Sequence, residues 1–116
     1  MAACKDARAQ AYLAPATYSV VAATGIPAAQ LGTGLLRIQG SGGAIDISAN
    51  PQVAAGVDGQ TLILEGRHDT NTVKFDTGTG LALNAGASAT LGKGDILALL
   101  YDETDVLWYE LYRSNN

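Results

Sequence analysis

Short apolar runs separated by Gly, Asn, Asp and Pro constrain this chain more than any other feature of its sequence. Between Thr61 and Leu91 the runs begin about every nine to eleven residues, and each is only a few residues long. Runs of that length and spacing are typical of β-strands, because a strand presents alternate residues to the core and ends at a turn residue. We therefore expect an all-β fold, built as a β-sandwich, a barrel or a β-helical stack.

The length of 116 residues predicts one domain with a short N-terminal extension. Residues 1–15 carry residues that tolerate a helix and end at Pro15, which stops any helix before it. We expect an N-terminal arm over residues 1–15 and a β-rich domain over residues 16–116. The arm is either a helical turn or a segment that docks on a partner through Tyr12 and Leu13.

Three strands are expected in the first half of the β-rich domain, the first over residues 17–21, and the second and third are expected to pair. Residues 35–39 and 44–48 are apolar in alternation, with Ile45 and Ile47 on one face of the second run. The Gly-rich residues 40–43 between them are typical of a tight turn. The sequence therefore predicts a β-hairpin formed by these two strands.

The C-terminal residues predict a second hairpin. Residues 96–101 are apolar on both faces, as in a central strand of a sheet, and the polar residues 102–105 form a loop. We expect the return strand to pair Tyr101 near Val106 and Leu99 near Trp108. Strict alternation would place one set of return-strand side chains on one face (Val106, Trp108, Glu110, Tyr112) and a second set on the other (Leu107, Tyr109, Leu111, Arg113).

The composition predicts that the chain assembles with copies of itself. Hydrophobic residues make up 47% of the chain, but most are small, and its 14 glycines lose much entropy on folding. Burial between sister chains would offset that cost, and the aromatic cluster of the last hairpin is either a core plug or an intersubunit anchor. The candidate interface residues are Tyr12, Leu13, Leu97, Leu99, Tyr101, Trp108, Tyr109 and Tyr112.

The charge of the chain and its few cysteine and histidine residues bear on which partners and metal sites we expect. The net charge is −4, and the seven Lys and Arg residues are scattered, so we expect neither a nucleic-acid partner nor binding to an anionic membrane. With Cys4 as the only cysteine and His68 as the only histidine, we expect no disulfide, no metal site and no cofactor. The neighbours of His68 predict an exposed loop.

No catalytic residues are predicted, so we expect that the chain is not an enzyme. Two carboxylate pairs come into question for glycoside hydrolysis, Asp69 with Asp76 and Asp102 with Glu110, but each has members on a loop or a solvent face. The segment from Asp76 to Gly80 resembles the loop of aspartic proteases. Those enzymes need two such carboxylates, and this chain has one copy.

Residues 49–116 resemble small structural proteins of tailed bacteriophages. The most specific part is the last hairpin: Gly94-Asp95, an apolar run, Tyr101-Asp102, then Trp108-Tyr109-Glu110 and Arg113-Ser114. Related segments occur in capsid decoration (cement) proteins, head fibres and tail fibres.

This resemblance implies a β-rich homotrimer on a virion surface. The short length favours a capsid decoration protein that binds the major capsid protein and stabilises the head, and the alternative is a head- or tail-fibre module that binds a receptor. In the alternative, exposed residues such as Arg67, His68 and Thr79 would meet at a distal tip. The N-terminus shows no signal-peptide pattern, so we expect assembly in the host cytoplasm and a final location on the capsid surface.

Overall fold

The computed structural model describes residues 16–116, and within them the chain forms nine strands and two 3₁₀ turns. The all-β prediction is thereby confirmed. The strands are β1 (Thr17–Val20), β2 (Leu35–Gly40), β3 (Ile45–Asp46), β4 (Thr61–Gly66), β5 (Val73–Phe75), β6 (Leu81–Ala82), β7 (Ala89–Leu91), β8 (Ile96–Asp102) and β9 (Leu107–Ser114); the 3₁₀ turns are η1 (Ala28–Gln30) and η2 (Asn84–Gly86). No helix among these residues is long and apolar enough to cross a membrane.

The strands form two sheets, and successive passes of the chain through both sheets lie side by side. One sheet has six strands in the order β1-β2-β4-β8-β9-β6, and the other has three in the order β3-β5-β7. β2 pairs in parallel with β4, with Leu35 opposite Ile63, and β3 pairs in parallel with β5, with Ile45 opposite Val73. Both offsets are 28 residues, so residues 35–46 stack on residues 63–74 although their sequences do not repeat.

The predicted hairpin of residues 35–39 and 44–48 is wrong, because the two strands lie in different sheets. The Gly-rich segment between them turns a corner instead of reversing the chain. The Gly40 N–H donates to the carbonyl of Asn71 (2.8 Å), and a Cβ on Gly40 would overlap the carbonyl of Gly43. Gly42 has a φ of 76°, which glycine adopts without strain. The corner therefore sends the chain on to β3 beside β5.

The main core is formed by the inward-facing side chains of the two sheets. Its largest members that are at most 1% exposed are Trp108, Phe75, Ile26, Ile38, Leu62, Leu64, Leu97 and Leu99. β8 lies between β4 and β9, as expected for a central strand. The chain's own residues cover the inner face of β8, so the expectation that sister copies must cover it is wrong for Leu97, Leu99 and Tyr101.

The last hairpin is confirmed, but its register differs from the prediction. Tyr101 lies opposite Trp108 rather than Val106, and Leu99 lies opposite Glu110 rather than Trp108. Val106 belongs to the turn, where its φ is 55°, so pairing begins with Asp102 opposite Leu107. The turn, residues 103–106, has four residues like the predicted loop but begins one residue later, so the partners of Tyr101 and Leu99 lie two residues further along β9 than predicted.

Candidate functional site

A β-bulge in β9 determines which side chains the C-terminal strand presents on each face. Glu110 pairs with Leu99 and Tyr112 pairs with Ala98, so Leu111 is an extra residue without a partner. Residues three apart lie on opposite faces of a regular strand, and one extra residue brings them to the same face. The bulge therefore places Tyr109 and Tyr112 together on the outer side of the sheet.

The same bulge places Arg113 beside Glu110 on the inner side. The alternation read from the sequence is thus correct up to Glu110 and wrong for Tyr112 and Arg113, whose faces are exchanged. The assignment of faces from the sequence fails there because an inserted residue leaves no mark in the order of apolar and polar side chains.

Two neighbouring rows of aligned residues on the outer side of the six-stranded sheet are mostly apolar, and we call these two rows the outer face. The strand register gives the two rows as Leu35, Ile63, Ala98, Tyr112 and Thr61, Leu100, Tyr109, Ala82. Tyr109 is 37% exposed and Tyr112 51% exposed. The outer face therefore presents apolar and aromatic groups to solvent along β9.

An ion pair borders the outer face. The Arg37 Nε lies 3.0 Å from Glu65 Oε1, and Arg67 Nη1 lies 3.5 Å from Glu65 Oε2. At the other border, the Tyr109 hydroxyl donates to Asp105 Oδ2 (2.6 Å), a bond that raises the pKa of Tyr109. The polar groups of this surface thus lie at its rim.

On the inner side, Glu110 and Arg113 form a clamp that ties β9 to η2 and β7. Arg113 donates from Nε to Glu110 Oε2 and from Nη2 to Glu110 Oε1, both at 2.7 Å. Glu110 Oε1 also accepts the N–H of Asn84 (2.9 Å), and Arg113 donates to the carbonyls of Ala87 and Ser88. The Glu110 side chain is fully enclosed, so its charge depends on this bidentate partner.

The clamp predicts a dependence of stability on pH. Hydrogen bonds from Arg113 hold the pKa of Glu110 below its usual value of 4.5, although burial opposes this effect. A lowered pKa in the folded state adds stability above about pH 4.5, and that stability is lost as the pH falls through the folded pKa. We expect wild type to be more stable than Glu110→Gln at about pH 6 and this gap to shrink toward about pH 3.

Urea unfolding of both proteins, followed by Trp108 fluorescence, measures the gap. Asp76 acts in the opposite sense, because its hydrogen bond with Asp46 raises its pKa above 3.8 and the stability it adds is lost as the pH rises. Since both proteins contain Asp76, its effect cancels in the comparison. A gap that stays constant or widens in acid would show that Glu110 is not held ionised by Arg113.

Gln52 is a buried polar residue that the sequence analysis missed. Its Nε2 donates to the carbonyls of Asp76 (2.7 Å) and Gly78 (3.0 Å) and to Thr79 Oγ1 (2.6 Å), while its Oε1 accepts the N–H of Asp76 (3.0 Å). Gln52 therefore holds the loop that resembles the one in aspartic proteases. No local pattern marks Gln52, because its partners lie at least 24 residues away in sequence.

The two carboxylate pairs considered for glycoside hydrolysis have other partners in the structure. Asp102 lies on the outer side of β8 and Glu110 on the inner side of β9. Asp69 accepts the N–H of Lys93, whereas Asp76 lies beside Lys74, with 3.7 Å between Asp76 Oδ1 and Lys74 Nζ. His68 is exposed, and its Nδ1 accepts the N–H groups of two following loop residues, Thr70 and Asn71.

A shallow cleft of about 230 Å³ lies between β7 and the ends of β8 and β9. Its charged groups are already occupied: Arg113 by the clamp, and the Asp95 carboxylate by the N–H groups of Gly92 and Asn116. Within residues 16–116, no buried side-chain nitrogen or oxygen lacks a hydrogen-bond partner. In the same part of the chain, no group of three or more His, Cys, Asp or Glu is arranged to hold a metal ion.

The predicted interface residues fall into three groups. Leu97, Leu99, Tyr101 and Trp108 lie in the core of one chain, and Tyr109 and Tyr112 are the exposed members within residues 16–116. For the aromatic cluster, the core plug therefore describes Tyr101 and Trp108. Tyr12 and Leu13 lie outside the described residues.

Residues Arg67, His68 and Thr79 do not share one tip of the molecule. Arg67 and His68 follow the end of β4, which pairs with the start of β8 and hence lies near the end of β9. Thr79 precedes Gly80, whose carbonyl accepts the N–H of Trp108 near the start of β9. The eight residues of β9 span roughly 25 Å, so the two sites lie at opposite ends of the sheet.

No protein-family model, curated protein or solved structure matches this chain.

Proposed function

We propose that this chain is a virion structural protein: a homotrimeric capsid decoration protein that binds the major capsid protein and stabilises the head. The observation that carries the proposal is the outer face, where exposed Tyr109 and Tyr112 lie beside half-buried Leu100. Apolar patches with aromatic residues and a polar rim are typical of protein–protein contact surfaces. The strand that presents these tyrosines also carries the most specific part of the bacteriophage resemblance.

The closed interior supports an assembly role over a catalytic one. The charged groups of the described cleft and of the clamp are all engaged with one another or with the backbone. The fibre alternative, with a receptor-binding tip, draws less support, because Arg67 and Thr79 lie at opposite ends of the sheet. The capsid surface is accordingly the proposed location.

Heating capsid shells with and without the protein tests this function. A ligand that binds only the native shell raises its unfolding temperature, and the rise grows with the concentration of free ligand. We expect the decorated shell to melt at a higher temperature and the bound protein to co-sediment with shells. Equal melting temperatures, together with no protein in the shell pellet, would contradict a cementing role.

A further inference from the structure

We propose that the outer face is the surface through which copies of this chain contact one another. The inference deepens the proposed function, on which it rests for the trimeric state, by naming the face that joins the subunits. Its occupant is a second copy of this chain, as the arrangement, size and charge of the face indicate.

The arrangement matches that of an interface between subunits. The centre of the outer face holds Ile63, Ala98, Leu100 and Tyr112, and polar groups lie at its border. Fully buried interface centres are depleted of charge and enriched in aromatic residues, whereas rims are polar. The bulge at Leu111 is necessary for this pattern, because a regular strand would turn Tyr112 toward the core.

The size of the sheet is sufficient for a specific contact. Together with its polar rim, the outer side of the sheet spans six strands about 4.8 Å apart, of which the four longer ones have roughly six residues of about 3.3 Å or more, so the surface measures at most about 29 by 20 Å. This projected area is close to the ~600 Å² per partner of the smaller stable interfaces. Around a three-fold axis, each of three copies turns this face toward the other two, so one face per chain serves both of its contacts.

The charge of the face favours a copy of the same chain. The whole chain carries a net charge of −4, so two copies repel each other wherever acidic surfaces meet. On the outer face, Arg37 and Glu65 neutralise each other, and Asp102 lies at the rim beside the turn. The outer face is thus a surface on which copies can meet without burying unpaired charge.

Charged substitutions at Tyr112 test the inference by native mass spectrometry and sedimentation. We expect wild type to form an oligomer, and both Tyr112→Glu and Tyr112→Lys to weaken self-association at least a hundredfold. The lysine variant lowers the net negative charge, so its dissociation would show that burial of a charge is responsible, rather than repulsion between acidic chains.

Val57→Glu is the matched control, because Val57 is exposed in the loop before β4 and lies off the sheet; it should assemble like wild type.

The outcomes separate this inference from the proposed function. Far-UV circular dichroism and Trp108 fluorescence establish that each variant is folded. An oligomer that survives both Tyr112 substitutions, a Val57→Glu variant that dissociates equally, or a monomeric wild type would overturn the inference. If wild type is monomeric but Tyr112→Glu loses binding to shells, the face docks on the capsid protein, and capsid decoration survives. If Tyr112→Glu dissociates but wild type does not bind shells, the inference stands and capsid decoration fails.

Discussion

Trp108→Ala is expected to lower the free energy of unfolding by about 3–5 kcal/mol, the range for removing a large aromatic side chain from a core. Trp108 has no solvent exposure, and its ring meets Tyr101 edge-on with 5.0 Å between ring centroids. Its Nε1 donates to the carbonyl of Ala54 (3.0 Å). The fit is tight, since a Cβ on Gly56 would lie 2.7 Å from the indole ring.

Chemical unfolding followed by far-UV circular dichroism measures this loss, because the variant lacks the fluorescent indole. Trp108→Phe keeps most of the packing but leaves the Ala54 carbonyl without its donor, so we expect a smaller loss of about 1–3 kcal/mol. Tyr109→Ala, on the exposed face of the same strand, should leave the unfolding transition of the monomer almost unchanged. A loss below about 1 kcal/mol for Trp108→Ala would contradict the placement of this residue in the core.

Arg113→Met is expected to lower the free energy of unfolding by about 2–3 kcal/mol. Removing one partner of a fully buried ion pair costs about 3–5 kcal/mol, and the expected value is lower here because the Arg113 side chain is 32% exposed. The substitution leaves the Glu110 carboxylate enclosed with only the N–H of Asn84 as a donor. It also removes the two hydrogen bonds to the carbonyls before β7.

Arg67→Met is the matched control, because Arg67 also pairs with a glutamate but at 3.5 Å and on the surface. Surface ion pairs contribute about 0.2–1 kcal/mol, so this variant should lose less than about 1 kcal/mol. Equilibrium urea unfolding of both variants, monitored by Trp108 fluorescence, gives the comparison. Equal losses in the two variants would show that the Glu110–Arg113 clamp contributes no more than a surface pair.

The sequence was informative where a structural feature is local. The apolar run of β8 and the polar turn after it predicted a central strand and a hairpin, and both are present. The turn before β3 was misinterpreted, because glycines such as Gly42 serve equally in a hairpin and in a corner between two sheets. Only the partner strand, β5, distinguishes these two uses, and it lies about 28 residues further along the chain.

Features that depend on distant contacts could not be predicted. The bulge at Leu111 is defined by the partner strand β8, so the alternation of β9 assigned Tyr112 and Arg113 to the wrong faces. Gln52 looks like an ordinary polar loop residue, and its role depends on the loop from Asp76 to Gly80. The burial of Trp108 depends on the loop at Ala54. Because this loop of the same chain covers Trp108, no sister chain is needed to bury it.

The mass of the wild-type protein in solution tests most directly the claim that three copies of this chain assemble, on which the role of the outer face depends. Sedimentation equilibrium over a range of concentrations gives that mass without assumptions about shape. Three chains of 11.9 kDa predict a species of about 36 kDa. A mass of 11.9 kDa at every concentration would contradict the account, because the outer face would then have no copy of the chain to cover it.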